Sequence, residues 1–257
     1  MHWVIQGNMF HEDKFADLIA ALVRFEIPHS LHKVVPFVGE LEPDIDIAGR
    51  VICIGTHSMR HIAKKKNWYP GVFDLAEHDF RKQLERWGEH MLNYDSRISR
   101  FEDAYFNDDY AFIRPIDDTK HFSGLVTDRI TLKAWQKQVC ELKLDNGTSL
   151  TADTMVQVND PLEIWREVRY WIVKGDIVTS SVYKTGKRVQ YFSNIDETMD
   201  QYVRDRVSEW QPREAFVIDV CETEIGHKIV EINTLNSSGF YAADMQKYVH
   251  ALEEAFG

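Results

Sequence analysis

The sequence has little cysteine, no long apolar stretch and no excess of basic residues. Its three cysteines, Cys53, Cys140 and Cys221, are far apart and form no C-x-x-C pair, so neither a thiolate zinc site nor a redox disulfide is expected. The first residues lack the basic region and apolar core of a secretion signal. No apolar run approaches the roughly 20 residues of a membrane-spanning helix. These absences predict a soluble, cytoplasmic protein with no membrane partner.

The charge balance argues against generic nucleic-acid binding. The chain carries 30 Lys and Arg residues against 41 Asp and Glu residues, a formal net charge of -11. Binding to a phosphate backbone needs a positive field, so no nucleic-acid partner is expected. A local basic cleft for one small anion is still compatible with this composition. The sequence leaves both a monomer and a homodimer open.

The familiar phosphate loops and nucleophile motifs are also missing. Neither G-x-x-x-x-G-K-[ST] nor G-x-G-x-x-G occurs, so a nucleotide would have to be held in another way. Ser58 and Ser123 lack the sequence context of a nucleophile elbow, and no cysteine has a specific catalytic signature. Any enzymatic chemistry is therefore expected to rely on positioned cations, carboxylates and metal.

What the sequence does contain is enough apolar material for a large folded core. Of its 257 residues, 44% are hydrophobic, which is typical of a globular protein. The order of strand-like and helix-like patterns predicts an α+β fold in three lobes. We place an N-terminal α/β lobe at 1–94, a small lobe at 95–160 and a larger C-terminal lobe at 161–257.

Apolar periodicity places the individual elements of these lobes. Strands are predicted at 3–7, 31–37, 50–55, 111–116 and 153–158. Helices are predicted at 15–24, 57–66, 77–87, 131–138, 196–209 and 245–256. Hairpin turns are predicted at Gly175-Asp176, near Gly226 and at Asn146-Gly147.

The hairpin formed by AFVIDV and KIVEIN contains the strongest chemical signal. Alternate residues of a strand share a face, so folding this hairpin brings Asp219 level with Glu231 and Asn233. Two carboxylates and an amide oxygen are the oxygen ligands that suit Mg²⁺. The alternative is a row of polar residues on an exposed strand. Flanking apolar residues on both strands favour a buried carboxylate, which needs a compensating partner.

The segment EVRYWIV places Glu167 and Arg169 on one face of a strand, with Lys184 at the far end of the same hairpin. Arg169 is able to grip a phosphate or carboxylate in a bidentate fork. An ordinary ion pair between Glu167 and Arg169 on the sheet is the alternative, and Lys184 alone reads as a solvated surface lysine.

Two further segments supply candidates for nucleotide binding. In FIRPIDDTKHFSG, Arg114 and Lys120 are cations beside the small residues Ser123-Gly124, a combination that can cover a polyphosphate. An ordinary surface loop is the alternative interpretation. In TMVQVND, backbone groups of 157–159 can read an adenine edge, although this rests on the sequence pattern alone.

Taken in order, these segments resemble those of ATP-grasp ligases. The resemblance rests on FIRPIDDTKHFSG, VQVNDPLEIWREVRYWIV with SSVYK, FVIDV and VEINTLNSSGFYAAD, and it spans about Phe112 to Asp244. More narrowly, the chain resembles a small branch common in bacteriophage genomes, in which an Arg replaces a phosphate-binding lysine, as Arg114 does here. The resemblance implies an ATP-grasp fold, preceded by an N-terminal α/β (pre-ATP-grasp) lobe, in which two α+β lobes clamp ATP.

The resemblance also implies a reaction and a set of site residues. ATP phosphorylates a substrate carboxylate, and an amine displaces phosphate from the acyl-phosphate, with ATP and Mg²⁺ as cofactors. The implied nucleotide-binding residues are Arg114, Lys120, Gln157, Val158, Asn159 and Glu167. The implied metal ligands are Asp219, Glu231 and Asn233, and the implied catalytic residues are Arg169 and Lys184. The acceptor carboxylate is implied to lie at Asn236, Ser237, Ser238 and Gly239.

Three functions are compatible with these residues. The first is a carboxylate–amine ligase that acts on an amino acid, a peptide or a protein acceptor, with the identity of the carboxylate and the amine left open. The second is an ATP-dependent phosphotransferase on the same scaffold, whose product would be a stable phosphate ester. The third is a nucleotide-binding module without catalysis.

Overall fold

The structure is a computed structural model of the chain, and it describes residues 1–7, 13–35, 39–116, 121–141 and 149–257. The strands of the N-terminal half are β1 (His2–Gln6), β2 (His29–Val35), β3 (Glu40–Glu42), β4 (Val51–Ile54), β5 (Pro70–Gly71), β6 (Arg97–Arg100), β7 (Tyr110–Pro115) and β8 (Leu125–Asp128). Those that follow are β9 (Met155–Asn159), β10 (Ile164–Val173), β11 (Asp176–Thr185), β12 (Arg188–Phe192), β13 (Ala215–Thr223) and β14 (Gly226–Asn233). The α-helices are α1 (Asp13–Arg24), α2 (Met59–Lys65), α3 (Phe80–Trp87), α4 (Arg129–Gln136), α5 (Glu197–Glu209) and α6 (Met245–Phe256). This mixture of helices and sheets confirms the predicted α+β class.

The described residues divide into two compact units. The first contains Met1–Leu75 and Ile164–Gly257, and the second contains Ala76–Glu163. The N-terminal segment and the C-terminal segment thus fold together as one body. The division into three lobes at 94 and 160 stays a prediction.

The first unit begins with a mixed sheet in the order β3-β2-β1-β4-β5. Strand β1 is parallel to β2 and β4, as expected for strands joined through helices, whereas the short β3 is antiparallel to β2. Val51–Ile54 is buried along its whole length, which is typical of a strand covered on both faces. The predicted parallel strands and covering helices are therefore confirmed.

The second sheet of this unit is antiparallel, in the order β12-β11-β10-β13-β14. Along β10, Trp171 and Val173 join the core that contains α1 and α6. The opposite face packs towards α5, since the Tyr170 hydroxyl donates to Asp200 of that helix at 3.0 Å. Because strand residues alternate, Arg169 lies on the face of Trp171, beyond the end of the apolar core. The sheet thereby presents polar side chains next to a rigid, packed floor.

The second unit contains a four-stranded sheet in the order β6-β9-β7-β8. One face of it forms a core in which Ile113 and Val158 pack with Leu132 of α4. Helix α4 begins at a capping residue, Asp128, whose side chain accepts from two backbone N–H groups of the first turn. The hairpin turn predicted at 146–147 lies outside the described residues.

The sequence patterns missed several short edge strands. Strand β12 is exposed at every position, so it lacks the apolar alternation that marks a strand in sequence. Strands β6 and β8 are only four residues long and contribute few buried side chains. Within the described ranges, no helix combines the length and hydropathy needed to span a bilayer.

Candidate functional site

A buried ion pair forms the centre of the polar surface on the second sheet. Strands β10 and β13 place Arg169 directly opposite Asp219. The Arg169 Nε donates to Asp219 Oδ1 at 2.8 Å, and its Nη2 donates to Oδ2 at 2.7 Å. The Arg169 and Asp219 residues are 7% and 1% exposed, so this bidentate pair is shielded from bulk water. The Arg169 Nη1 makes a longer contact of 3.4 Å with the carbonyl oxygen of Gly239.

Two more polar side chains join the pair from strand β14. The register sets Asp219 opposite Glu231, and Val217 opposite Asn233. The Asn233 Nδ2 donates to Asp219 Oδ2 and to Glu231 Oε1, both at 3.1 Å. The two carboxylates and the amide therefore lie together on one sheet face, as the hairpin register predicted. Their role as metal ligands stays a prediction.

Glu167 lies next to this cluster and has two partners on strand β11. The Tyr183 hydroxyl donates to Glu167 Oε2 at 2.7 Å, and the Lys184 Nζ contacts Oε1 at 2.5 Å. Burial, together with the nearby carboxylates of Asp219 and Glu167, raises the pKa of Tyr183 well above its usual value. Its phenol is therefore neutral and acts only as a donor. The expected pair between Glu167 and Arg169 is not made, because each finds a different partner.

Burial also shapes the charges of the central pair. Desolvation opposes the charge on Arg169, yet the contacts with Asp219 outweigh it and raise the pKa of the guanidinium. Complete burial raises the pKa of Asp219 above its ordinary range, with Arg169 opposing that shift. The arginine is thus permanently charged, and the carboxylate depends on a cation beside it to stay ionised.

A stack of three tyrosine rings flanks the ion pair, and the sequence patterns did not reveal it. The Tyr241 ring is stacked between Tyr183 and Tyr191, with centroids 5.2 and 5.0 Å apart. The Arg169 Cζ lies 4.9 Å from the Tyr241 centroid. Tyr241 adopts a φ of 52°, an uncommon conformation for a residue other than glycine. The only sequence hint was the aromatic residue in the GFYAAD loop.

The loop predicted to bind the acceptor carboxylate has a largely structural role. Asn236 is buried, its Oδ1 accepts from the Phe73 N–H at 2.8 Å, and its Nδ2 donates to the carbonyl of Cys53 at 2.7 Å. Ser238 is also buried, and its hydroxyl donates to the carbonyl of Thr234. These contacts do not favour substrate binding by the Asn236 or Ser238 side chains.

The remaining members of that loop are better placed. The carbonyl of Gly239 contacts Arg169, as described above, and Ser237 is only partly buried. Their contact with an acceptor stays a prediction.

The second unit positions the residues predicted to bind nucleotide. Arg114 on β7 lies directly opposite Gln157 on β9, so the two share a sheet face. Among the described residues, neither amide atom of the fully buried Gln157 has a hydrogen-bond partner. Val158 points instead into the apolar core, so only its backbone is able to contact a ligand. Lys120 lies outside the described residues.

Asn159 ends strand β9 and is held by its neighbours. Its Nδ2 donates to Asn93 Oδ1 at 3.0 Å and to the carbonyl of Asp160 at 2.8 Å, while its Oδ1 accepts from Ser96. These contacts fix the chain at the point where it leaves the sheet. The predicted contact of Asn159 with adenine stays a prediction.

The donors at the sheet surface fit a magnesium ion. Oxygen atoms of two carboxylates and one amide match the hard, oxygen-only preference of Mg²⁺. The orientation of an amide is assigned from its hydrogen bonds, and a turn of the Asn233 amide would present its oxygen beside Asp219 and Glu231. Over the described ranges, no group of three or more His, Cys, Asp and Glu side chains is arranged to hold a metal, so the amide would be needed to complete this set.

The arrangement of sheets and site residues is that of an ATP-grasp protein. A family model for an ATP-grasp domain, the third family of its clade, matches residues 46–252, which is most of the chain. The chain belongs to this family, and the predicted ATP-grasp fold is confirmed.

Solved structures agree on the fold. A RimK domain ATP-grasp protein from Sphaerobacter thermophilus DSM 20745 has a TM-score of 0.65 at 14% identity and covers 96% of this chain and 98% of its own. D-cycloserine synthetase DcsG has a TM-score of 0.62 at 11% identity and covers 98% of both chains. D-alanine–D-alanine ligase from Bacillus anthracis has a TM-score of 0.61 at 12% identity and covers 99% of this chain and 96% of its own. A comparison with curated proteins finds no significant match.

Proposed function

We propose that the protein is an ATP- and Mg²⁺-dependent ligase that joins a carboxylate to an amine through an acyl-phosphate. The observation that carries this proposal is the cluster of Arg169, Asp219, Glu231 and Asn233 on one sheet face, in a chain of the ATP-grasp family. Membership of a branch common in bacteriophage genomes stays a prediction.

The cluster supplies what phosphoryl transfer needs from a protein. Such a reaction depends on positioning and on charge stabilisation more than on covalent catalysis. Magnesium bound at Asp219, Glu231 and Asn233 would bridge phosphate oxygens and offset their charge. Arg169 would then direct its guanidinium at the transferring phosphate, held in orientation by the Tyr241 ring. Lys184, half-exposed beside Glu167, would add a second cation.

Gln157 supports nucleotide binding in the second unit. A buried amide without hydrogen bonds is costly, and native proteins generally satisfy such groups. A ligand with donor and acceptor atoms at its edge, such as adenine, would satisfy both amide atoms. Arg114, on the same face, would meet phosphate oxygens. Glu167, Val158 and Asn159 are proposed to complete the nucleotide contacts, the last two through their backbone.

The reaction balances without a protein nucleophile. A carboxylate oxygen of the substrate attacks the γ-phosphorus of ATP, and the bond to the β-phosphate oxygen breaks to release ADP. The amine then attacks the acyl carbon, loses a proton to solvent and expels inorganic phosphate. The products are an amide, ADP and phosphate. The backbone at Ser237 and Gly239 is proposed to face the acceptor.

A pair of glutamine variants on one hairpin tests this proposal. Glu231→Gln removes one proposed ligand at a partly exposed position, whereas Glu224→Gln removes a carboxylate from the exposed turn of the same hairpin. We expect Glu231→Gln to lower magnesium–ADP affinity by about 10–100-fold in calorimetry, and Glu224→Gln to match the wild type. Unchanged affinity in Glu231→Gln rejects the metal assignment.

The product distinguishes ligation from the other two functions. The protein is incubated with ATP, magnesium and a pool of carboxylates and amines, and the products are analysed by mass spectrometry. An amide formed together with ADP supports the ligase. A persistent phosphate ester identifies a phosphotransferase, and tight nucleotide binding without ADP formation identifies a binding module.

A further inference from the structure

An open groove in the first unit lies between helix α1 and the start of helix α6. Its volume is about 520 Å³, which is in the range of ligand pockets. The α1 residues that line it recur at helical spacing and form one face of that helix. Ala20, at the middle of this face, is small and exposed, so it leaves the groove open. None of the described lining residues belongs to the polar cluster on the sheet.

Charges of both signs line this groove. Lys14 and Arg24 supply two cations, and Asp17 and Asp244 supply two carboxylates. The Lys14 Nζ lies 2.6 Å from Asp17 Oδ2, and Arg24 Nη1 donates to Gln246 at 3.1 Å. A polyphosphate would meet the two carboxylates, and a bare metal ion would meet the two cations. A ligand that carries an ammonium group and a carboxylate matches both.

The groove's own ion pair can be exchanged for a ligand. The side chains of Lys14 and Asp17 are 34% and 54% exposed. Exposed pairs of this kind contribute little to stability, because water screens them. The groove therefore has charged groups that are positioned and still accessible.

The groove lies beside the proposed reaction centre. It is lined by Ala242, the residue after Tyr241, whose ring contacts Arg169. The Ala242 N–H donates to the Ser181 hydroxyl at 3.0 Å, and Ser181 is the cross-strand partner of Arg169. A ligand in the groove is thus one residue along the chain from the aromatic ring that flanks the ion pair.

We infer that this groove binds the ammonium and carboxylate groups of an amino acid or a short peptide. If the chain is the proposed ligase, the ligand is the substrate whose reacting group extends past Tyr241 to Arg169. From Lys14 to Arg24 the helix rises about 15 Å, at roughly 1.5 Å per residue. An extended peptide covers about 3.3–3.6 Å per residue, so about four residues match this length. A peptide is therefore the better match than one free amino acid.

Two tryptophan variants on one helix test the groove. Ala20→Trp fills it, whereas Ala16→Trp adds the same bulk at another exposed alanine of α1 that does not line it. The probes are a pool of the twenty amino acids, a random tetrapeptide pool with free termini, and the same pool with acetylated and amidated termini. Binding is read by saturation-transfer NMR on the full-length protein.

We expect the free tetrapeptides to bind the wild type and Ala16→Trp equally, and Ala20→Trp about tenfold more weakly. Equal saturation from the amino-acid pool would support the same groove with free amino acids as its ligand. Equal binding of blocked and free peptides overturns the ammonium–carboxylate assignment. Equal binding to Ala20→Trp and wild type, or no saturable binding of either free pool to the wild type, overturns the groove itself.

Magnesium–ADP binding to the same variants keeps this inference separate from the proposed function. Ala20→Trp leaves the sheet residues untouched, so it is expected to bind magnesium–ADP within about twofold of the wild type. Failure of the wild type to bind magnesium–ADP would reject the proposed function, while the NMR result would still decide the groove.

Discussion

Arg169 and Asp219 face each other across two strands, and the guanidinium occupies both carboxylate oxygens. Neither oxygen of Asp219 is therefore open to a metal without a change in this contact. The pair also explains how two charges are tolerated at a buried sheet position, since each neutralises the other and the bidentate geometry satisfies their hydrogen bonds. A bound cation and an anionic phosphate would replace these contacts one for one.

Breaking this pair is expected to destabilise the fold strongly. Arg169→Met leaves a buried carboxylate without its cation, and such losses typically cost about 3–5 kcal/mol. The exposed Arg204, which pairs with Glu197 on α5, gives the matched control, and Arg204→Met is expected to cost less than about 1 kcal/mol. Urea unfolding followed by circular dichroism measures both.

A double variant shows whether the cost comes from the unpaired charge. Arg169→Met combined with Asp219→Leu replaces the pair with apolar side chains, and we expect it to recover most of the stability lost in Arg169→Met alone. If the two changes simply add, the free energy belongs to side-chain packing and not to the ion pair.

The tyrosine beside Glu167 is expected to orient that carboxylate without exchanging protons. Burial raises the pKa of Tyr183 well above 10, so its hydroxyl stays protonated between about pH 6 and pH 9. Tyr183→Phe removes the 2.7 Å hydrogen bond to Glu167 and should lower turnover without changing the shape of the kcat/KM profile across that range. Tyr191→Phe, in the same stack, is the control. An alkaline limb that disappears only in Tyr183→Phe would contradict this role.

The metal-type cluster was predictable because a hairpin is a local structure. Strands β13 and β14 are joined by a short turn, so the period of two along each strand fixes that Asp219 and Glu231 meet on one face. The same reasoning placed Glu167 and Arg169 on one face of β10. It did not predict which carboxylate Arg169 would choose, because that depends on the pairing of β10 with β13, more than 40 residues further along the chain.

The parts that sequence patterns missed depend on contacts distant in sequence. The rings of Tyr183 and Tyr241 come together only because the loop before α6 packs against β11, through Asp244 and Thr179. Asn236 looked like a substrate ligand from its position in a polar loop. Instead it joins that loop to the backbone around Cys53 in the first sheet. Neither contact has a periodic signal.

A glycine near Arg114 is expected to be required for nucleotide binding. A Cβ at Gly124 would lie 2.6 Å from the Phe112 ring and 3.2 Å from the Arg114 Cβ, so one of these groups has to move. Gly124→Ala should therefore cost about 1–3 kcal/mol of stability and weaken ATP binding, measured by thermal unfolding and calorimetry. Gly7→Ala, whose Cβ would meet nothing closer than 3.7 Å, is the control. Wild-type ATP affinity in Gly124→Ala would remove Arg114 from the nucleotide site.

The cap of helix α5 is expected to stabilise the protein only while it is ionised. The Asp196 carboxylate accepts from the Thr198 hydroxyl, the Arg166 guanidinium and the Met199 N–H, and these contacts lower its pKa below the ordinary 3.8. Because the pKa is lower in the folded state, the stabilisation is present above about pH 4 and is lost as the pH falls through the folded value. Asp196→Ala should cost about 1 kcal/mol near pH 7, and less near pH 2.

Urea unfolding at several pH values measures this difference between wild type and variant. The exposed Asp205, in the middle of the same helix, supplies the control variant Asp205→Ala, which lacks a capping contact to lose. The cap predicts that the stability difference for Asp196→Ala shrinks on acidification, because protonation removes the acceptor charge that holds the three donors. A difference that stays constant from about pH 7 down to pH 2 would mean that the carboxylate's charge contributes nothing, and that the loss arises from the neutral hydrogen bonds of the cap alone.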